Sequence, residues 1–99
     1  MEITRKLAAD RLELVVSGRI DTITSPEFQK AAVPLPDGVR SVDIDLADVE
    51  YVSSAGLRAF AVLALAVKEA GGALTLKNLQ ADVKTVFDMT GISGMLGLA

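Results

Sequence analysis

The run from Val42 to Leu79 constrains the chain most. An alternating segment, VDIDLADVEYV, gives way after the small residues SSAG to a helix-patterned apolar stretch, which Gly71 and Gly72 stop before a second alternating segment, ALTLKNL. Strands separated by a helix imply a right-handed crossover and parallel pairing within one sheet. The third strand, VRSVDIDLADVEYV, is predicted with Val42, Ile44 and Leu46 inward against Asp43, Asp45 and Ala47. A long helix is predicted from about Ala55 to Ala70, with Leu57, Phe60, Ala61, Ala64 and Val67 facing the sheet. Arg58, Val62, Leu65 and Glu69 form the opposite stripe.

Upstream, Ile3, Arg5 and Leu7 alternate with Glu2, Thr4 and Lys6, and Leu12, Leu14 and Val16 repeat the pattern after AAD. These two segments read as an antiparallel hairpin. In TSPEF, Thr24 or Ser25 is placed as a helix N-cap, with Pro26 in the first turn and Glu27 near the positive end of the dipole. That short helix should run to about Val33 and end at Pro34 and Pro36. ADVKTVFDMTG is predicted as a last helix packed through Val83, Val86 and Phe87, and GISGMLGLA as a loop with a weak last turn.

Each strand alternates, whereas strands buried on both faces would be continuously apolar. The expected fold is therefore α/β, a mixed sheet of about four strands, mainly parallel after the N-terminal antiparallel hairpin, with helices mostly on one face. Residues 1–99 are expected to form a single domain without repeats, and 51% hydrophobic residues suffice for a core without staples.

Several functions are disfavoured. The net charge is −3 and the ten Lys and Arg residues are scattered, so nucleic acid is not an expected partner. Cysteine is absent, which excludes disulfides and thiolate metal sites and fits a reducing, cytoplasmic setting. The N-terminus lacks the unbroken apolar core of a signal peptide, and the longest apolar stretch, Ala55 to Val67, is too short to span a membrane and contains Arg58. The expectation is a soluble monomer or weak dimer.

There is also no histidine. Ser53 and Ser54 lie at a strand-to-helix turn, yet no glycine stands two residues before either and no imidazole is available as base. Only a Ser–Lys pair with Lys68 or Lys77 stays open, and no enzyme activity, cofactor or metal is expected. Asp43 and Asp45 share one side of a strand, about 6 to 7 Å apart, but no loop supplies further oxygen ligands. A solvated acidic face is the expectation there. Gly91, Gly94 and Gly97 follow a helix and do not make a nucleotide loop.

Two features remain open. If Ser54 is the N-cap, its oxygen meets free backbone N–H groups, where a phosphoryl group would be favoured; a plain cap is the alternative. Val62 and Leu65 are either covered by neighbouring helices or form an exposed apolar patch beside Ser54.

Three stretches resemble the STAS domains, and within them the bacterial anti-sigma factor antagonists. LELVVSGRIDTITSPEF is similar to the family's second strand, turn, aspartate and first helix; VDIDLADVEYVSSAGLRAF to its hallmark strand and loop; GGALTLKNLQADVKTVFDMTGI to its fourth strand and last helix, including Thr90-Gly91. The resemblance implies a protein that binds an anti-sigma factor, itself a serine kinase, and is released when a loop serine is phosphorylated, with a serine phosphatase reversing the step. The family loop reads Asp-Ser-Ser-Gly or Asp-Ser-Thr-Gly. Matched by position, Ser53 replaces the aspartate, Ser54 is the acceptor, Ala55 replaces the second hydroxyl and Gly56 is retained.

Losing the aspartate removes a charge beside the acceptor and makes Ser53 a competing site. The expected partner surface combines Asp21, Thr22 and Thr24 from one loop and Ser53, Ser54, Ala55 and Gly56 from the other with Arg58, Val62 and Leu65 from the outer stripe of the helix. The alternative is a STAS subunit with a permanent contact, for example in a lipid-transport ATPase, not regulated by phosphorylation.

Overall fold

The computed structural model describes residues 1–89 and 91. Along the chain lie β1 (Glu2–Ala8), β2 (Arg11–Ile20), α1 (Ser25–Lys30), β3 (Ser41–Val52), α2 (Ser54–Glu69), β4 (Leu74–Lys77) and α3 (Ala81–Met89). The four strands form one sheet in the order β1-β2-β3-β4. β1 and β2 are antiparallel, while β2 with β3 and β3 with β4 are parallel. The mixed sheet and its crossovers are those expected from the alternation of strand and helix patterns.

Register fixes which residues share a face. Leu12 pairs with Val42 and Leu14 with Ile44, and all four are fully or almost fully buried. The helices cover this face, each contributing one phenylalanine. Phe28 of α1 lies 4.7 Å from Phe60 of α2, and Phe60 meets Phe87 of α3 edge-on at 5.1 Å. Such tilted and T-shaped contacts suit the ring quadrupoles and add about 0.5–1.5 kcal/mol each beyond area burial. At the sheet edge the cover ends: Ile3 is half-buried, but Arg5 and Leu7 of β1 are exposed.

Strict alternation fails in β3. Between the pairs Val15–Asp45 and Ser17–Asp48, and again between Gly18–Val49 and Arg19–Tyr51, β3 advances one residue more than β2. These bulges turn Leu46, Val49 and Val52 to the same buried face at a spacing of three. The end of the strand is re-aimed just before the SSAG loop.

The open face is less solvated than expected. Asp43 is buried, its carboxylate accepting from Arg11 of β2 and lying 3.5 Å from Lys77 of β4. Asp45 is half-buried and accepts from the Ala47 N–H at 3.0 Å. Asp43 is thus part of a cross-strand ion cluster, because register brings cations from both neighbouring strands to it.

Helix limits also differ. α1 stops at Lys30, short of Val33, and Thr24 at its cap position makes no side-chain cap bond. In α2, Ala59 and Leu63 are buried with Leu57, Phe60 and Val67, while Ala61 and Ala64 are only half-buried. The helix closes with paired bonds, Gly71 N–H to Lys68 O and Gly72 N–H to Val67 O, both 3.1 Å, with Gly71 at φ +78°. At Gly72 an added Cβ would fall 1.8 Å from the Arg40 carbonyl oxygen, so the chain passes too closely for any side chain. Thr90, Gly94, Gly97 and the GISGMLGLA segment beyond Gly91 lie outside the described residues.

Candidate functional site

β2 and β3 end side by side, with Ile20 opposite Val52, and the loops that follow them emerge together. The Ser53 N–H donates to the Ile20 carbonyl at 2.9 Å. One turn into α2, Gly56 packs on the same residue: a Cβ there would lie 2.7 Å from Ile20 O and 2.9 Å from Val52 Cγ1. The retained glycine lets the start of α2 sit directly on the ends of two buried strands.

The cap is one residue earlier than expected. Ser53 is extended, at φ −82° and ψ 174°, and its Oγ accepts the Gly56 N–H at 3.2 Å; Ser53 is the N-cap and Ser54 the first helical residue. An extended residue at the cap carries its side chain back over the free N–H groups of the first turn, which is the geometry a serine cap requires. Ser54 is left exposed, and among the described residues its hydroxyl has no hydrogen-bond partner. Ala55 is half-buried behind it.

The adjoining loop is organised by Asp21. Its Oδ1 accepts from the N–H groups of Ile23 and Thr24, both at 3.0 Å, and the Ser25 N–H closes the turn onto the Asp21 carbonyl at 2.8 Å. The Thr24 hydroxyl accepts the Asp21 N–H at 2.9 Å and lies 2.8 Å from the Arg19 carbonyl. The Thr24 N–H bond is the largest influence holding the Asp21 carboxyl below its ordinary pKa of 3.8, against a smaller opposing effect of burial. Asp21 and Thr24 therefore shape the loop, and Thr22 and Ile23 are its exposed residues.

Three contributors were not anticipated from sequence. Ile23 is 87% exposed at the loop tip. Arg19 lies over the Tyr51 ring, 4.2 Å from its centroid, with its Nε 3.9 Å from Asp21 Oδ2. No local pattern marks these positions: Arg19 and Tyr51 meet only through the bulged register of β2 and β3.

Along α2, Arg58, Val62 and Leu65 are exposed, the last two at 38% and 56%. The neighbouring helices therefore do not cover Val62 and Leu65. A groove of about 300 Å³ separates α1 from α2, with Pro26, Val33, Ala59 and Val62 in its lining together with the two cations Lys30 and Arg58. The Ser–Lys pair left open by the sequence is not assembled. Lys68 stands in the last turn of α2, about 20 Å along the helix from Ser54, and Lys77 is engaged at Asp43. Among the described residues no helix is long and apolar enough to cross a membrane.

A family model described as "Mlab, STAS domain" matches residues 3–97. The chain is 32% identical over 88 residues to the anti-sigma-B factor antagonist of Bacillus subtilis (strain 168), an alignment covering 89% of this chain and 81% of that protein. Among solved structures, the anti-sigma factor antagonist SpoIIAA in its unphosphorylated form matches with a TM-score of 0.80 at 12% identity, over 95% of this chain and 84% of that one. The Bacillus cell fate determinant SpoIIAA in its phosphorylated form matches with a TM-score of 0.75 at 11% identity, over 95% and 87%. At such identities the structures speak for the fold, whereas the family model and the sequence relative speak for descent. The chain belongs to the STAS domain family, with bacterial anti-sigma factor antagonists among its relatives.

Proposed function

We propose that this protein is an anti-sigma factor antagonist: a cytoplasmic, non-enzymatic binding module that docks an anti-sigma factor with serine kinase activity and is released when that kinase phosphorylates Ser54. The observation that carries the reading is the division of labour between the two serines. Ser53 is committed to the helix cap, while the Ser54 hydroxyl is exposed and, among the described residues, unpartnered, on the same helix as the exposed Val62 and Leu65. In the transfer, Ser54 Oγ attacks the γ-phosphorus of ATP, the bond to ADP breaks, and the hydroxyl proton leaves to a base on the kinase. A serine phosphatase would hydrolyse the ester and restore binding.

Charge alone suffices for release. Each unit of phosphate charge about 5 Å from a partner carboxylate is opposed by about 3 kcal/mol at an effective dielectric of 20, less in salt. At 1.4 kcal/mol per tenfold change, that weakens a complex by about two orders of magnitude. The likeness of this chain to both forms of SpoIIAA supports a switch that leaves the fold in place. The test is incubation with the cognate kinase and ATP, followed by mass spectrometry. Phosphate on Ser54, and loss of partner binding in Ser54→Asp, are expected; incorporation at Ser53 alone, or an unchanged affinity in Ser54→Asp, would overturn the reading.

A second reading is favoured by Ser53 standing where antagonists hold an aspartate. In it the same surface makes a permanent contact, for example in a lipid-transport ATPase. It requires no phosphate incorporation and a partner that stays bound throughout.

A further inference from the structure

Ser54 and Arg58 lie four residues apart on α2, and both are exposed. Side chains at this spacing are neighbours, with Cβ atoms about 5–6 Å apart. Long helical side chains tend to point back toward the N-terminus, so the turn that carries Ser54 is within reach of the Arg58 side chain. We infer that Arg58 is the intrachain counter-ion for a phosphate on Ser54, so that modification withdraws a cation from the α1–α2 groove as well as adding negative charge. The inference rests on the proposal that Ser54 is the acceptor, and deepens it.

Three observations carry it. Arg58 makes no ion pair among the described residues, whereas Arg11, Arg19, Arg40, Lys77 and Lys84 each face a carboxylate. It can therefore turn without breaking an ion pair among the described residues. The order is also the favourable one, with the acidic group N-terminal to the basic one, and a guanidinium can hold two phosphate oxygens at once. Finally, the other charged groups of this edge are otherwise placed. Arg19 covers Tyr51 and approaches Asp21, the Asp21 carboxylate is bonded within its own loop, and Lys30, with Glu27, belongs to α1 across the groove.

The consequence is a two-part switch. In the unmodified protein Arg58 lines the groove beside Val62, available to an acidic group of a partner. In the phosphorylated protein the same guanidinium is turned back upon Ser54.

The test installs phosphoserine at position 54 by genetic encoding and follows its second ionisation by phosphorus NMR. The dianion should be favoured about 1.4- to 2.3-fold more in the parent than in Arg58→Gln. Arg58→Lys should retain part of the effect, as a point charge in place of a fork, and Lys30→Gln should leave it unchanged. Thermal unfolding of the unmodified variants confirms that each is folded. Identical titrations in the parent and Arg58→Gln, or a larger effect from Lys30→Gln, would overturn the inference. Because phosphate is installed without a kinase, that failure strikes Arg58 alone; failure of the kinase to modify Ser54 strikes the switch.

Discussion

Replacing Gly56 with alanine would place a methyl group 2.7 Å from Ile20 O, 2.9 Å from Val52 Cγ1 and 3.0 Å from Ile20 Cγ2. Neither neighbour can yield. Ile20 and Val52 are buried, and the Ile20 carbonyl already accepts the Ser53 N–H. Ordinary contact would require the first turn of α2 to retreat by about 0.7 Å, and overpacking of this kind costs about 1–3 kcal/mol. Alanine recovers up to about 1 kcal/mol of helix propensity, less in a first turn than in the interior. The expected net loss is about 1–2 kcal/mol. In a domain of this size it corresponds to a melting temperature lower by about 5–15 °C. Urea unfolding followed by circular dichroism should show a lower midpoint with an unchanged slope. The retreat also stretches the 3.2 Å cap bond to Ser53, so phosphorylation of Ser54 should fall in the same variant. A Gly56→Ala protein as stable as the parent, and modified as readily, would refute the account of why this glycine is needed.

Other substitutions separate structural from regulatory roles. Ser53→Ala should lose about 1 kcal/mol by removing the cap, whereas Ser54→Ala should stay within about 0.5 kcal/mol in urea melts and abolish phosphate incorporation. Asp43→Ala should lower stability by about 1–3 kcal/mol, since it removes charged hydrogen bonding from a buried position, while Arg11→Gln should cost less than about 1 kcal/mol because Arg11 is part-exposed. Asp21 has a depressed folded pKa, so its stabilisation is complete above the unfolded value of 3.8 and is lost as pH falls through the folded value. The stability difference between the parent and Asp21→Asn should therefore be constant above about pH 5 and shrink as pH falls below 3.8, as measured by urea melts at descending pH.

The order of elements and the buried face were legible because alternation and helical spacing report directly on which side of an element is apolar. What the sequence left open depended on register between distant segments. SSAG offers two adjacent serines, and only the tether of Ser53 to Ile20 decides which one caps the helix. Asp43 reads as solvated in its own strand, yet Arg11 and Lys77 reach it from the strands on either side. The three-residue spacing of Leu46, Val49 and Val52 was present in the sequence as a sign of bulges, although it resembles a plain strand end. Exposure of Val62 and Leu65 turned on where α1 and α3 settle, which no local pattern reports.

Ile20 has a consequence beyond packing. Its carbonyl holds the loop after β3, its side chain meets the start of α2, and its own C-terminal neighbour is Asp21, which orders the loop after β2. The two loops are thus secured at one buried residue and were fixed when the domain folded. A partner that docks across both has little conformational entropy left to remove, so modest contacts can give useful affinity. The same tether couples their fluctuations: opening either loop disturbs the other, and their amide protons should exchange with solvent as one cooperative unit.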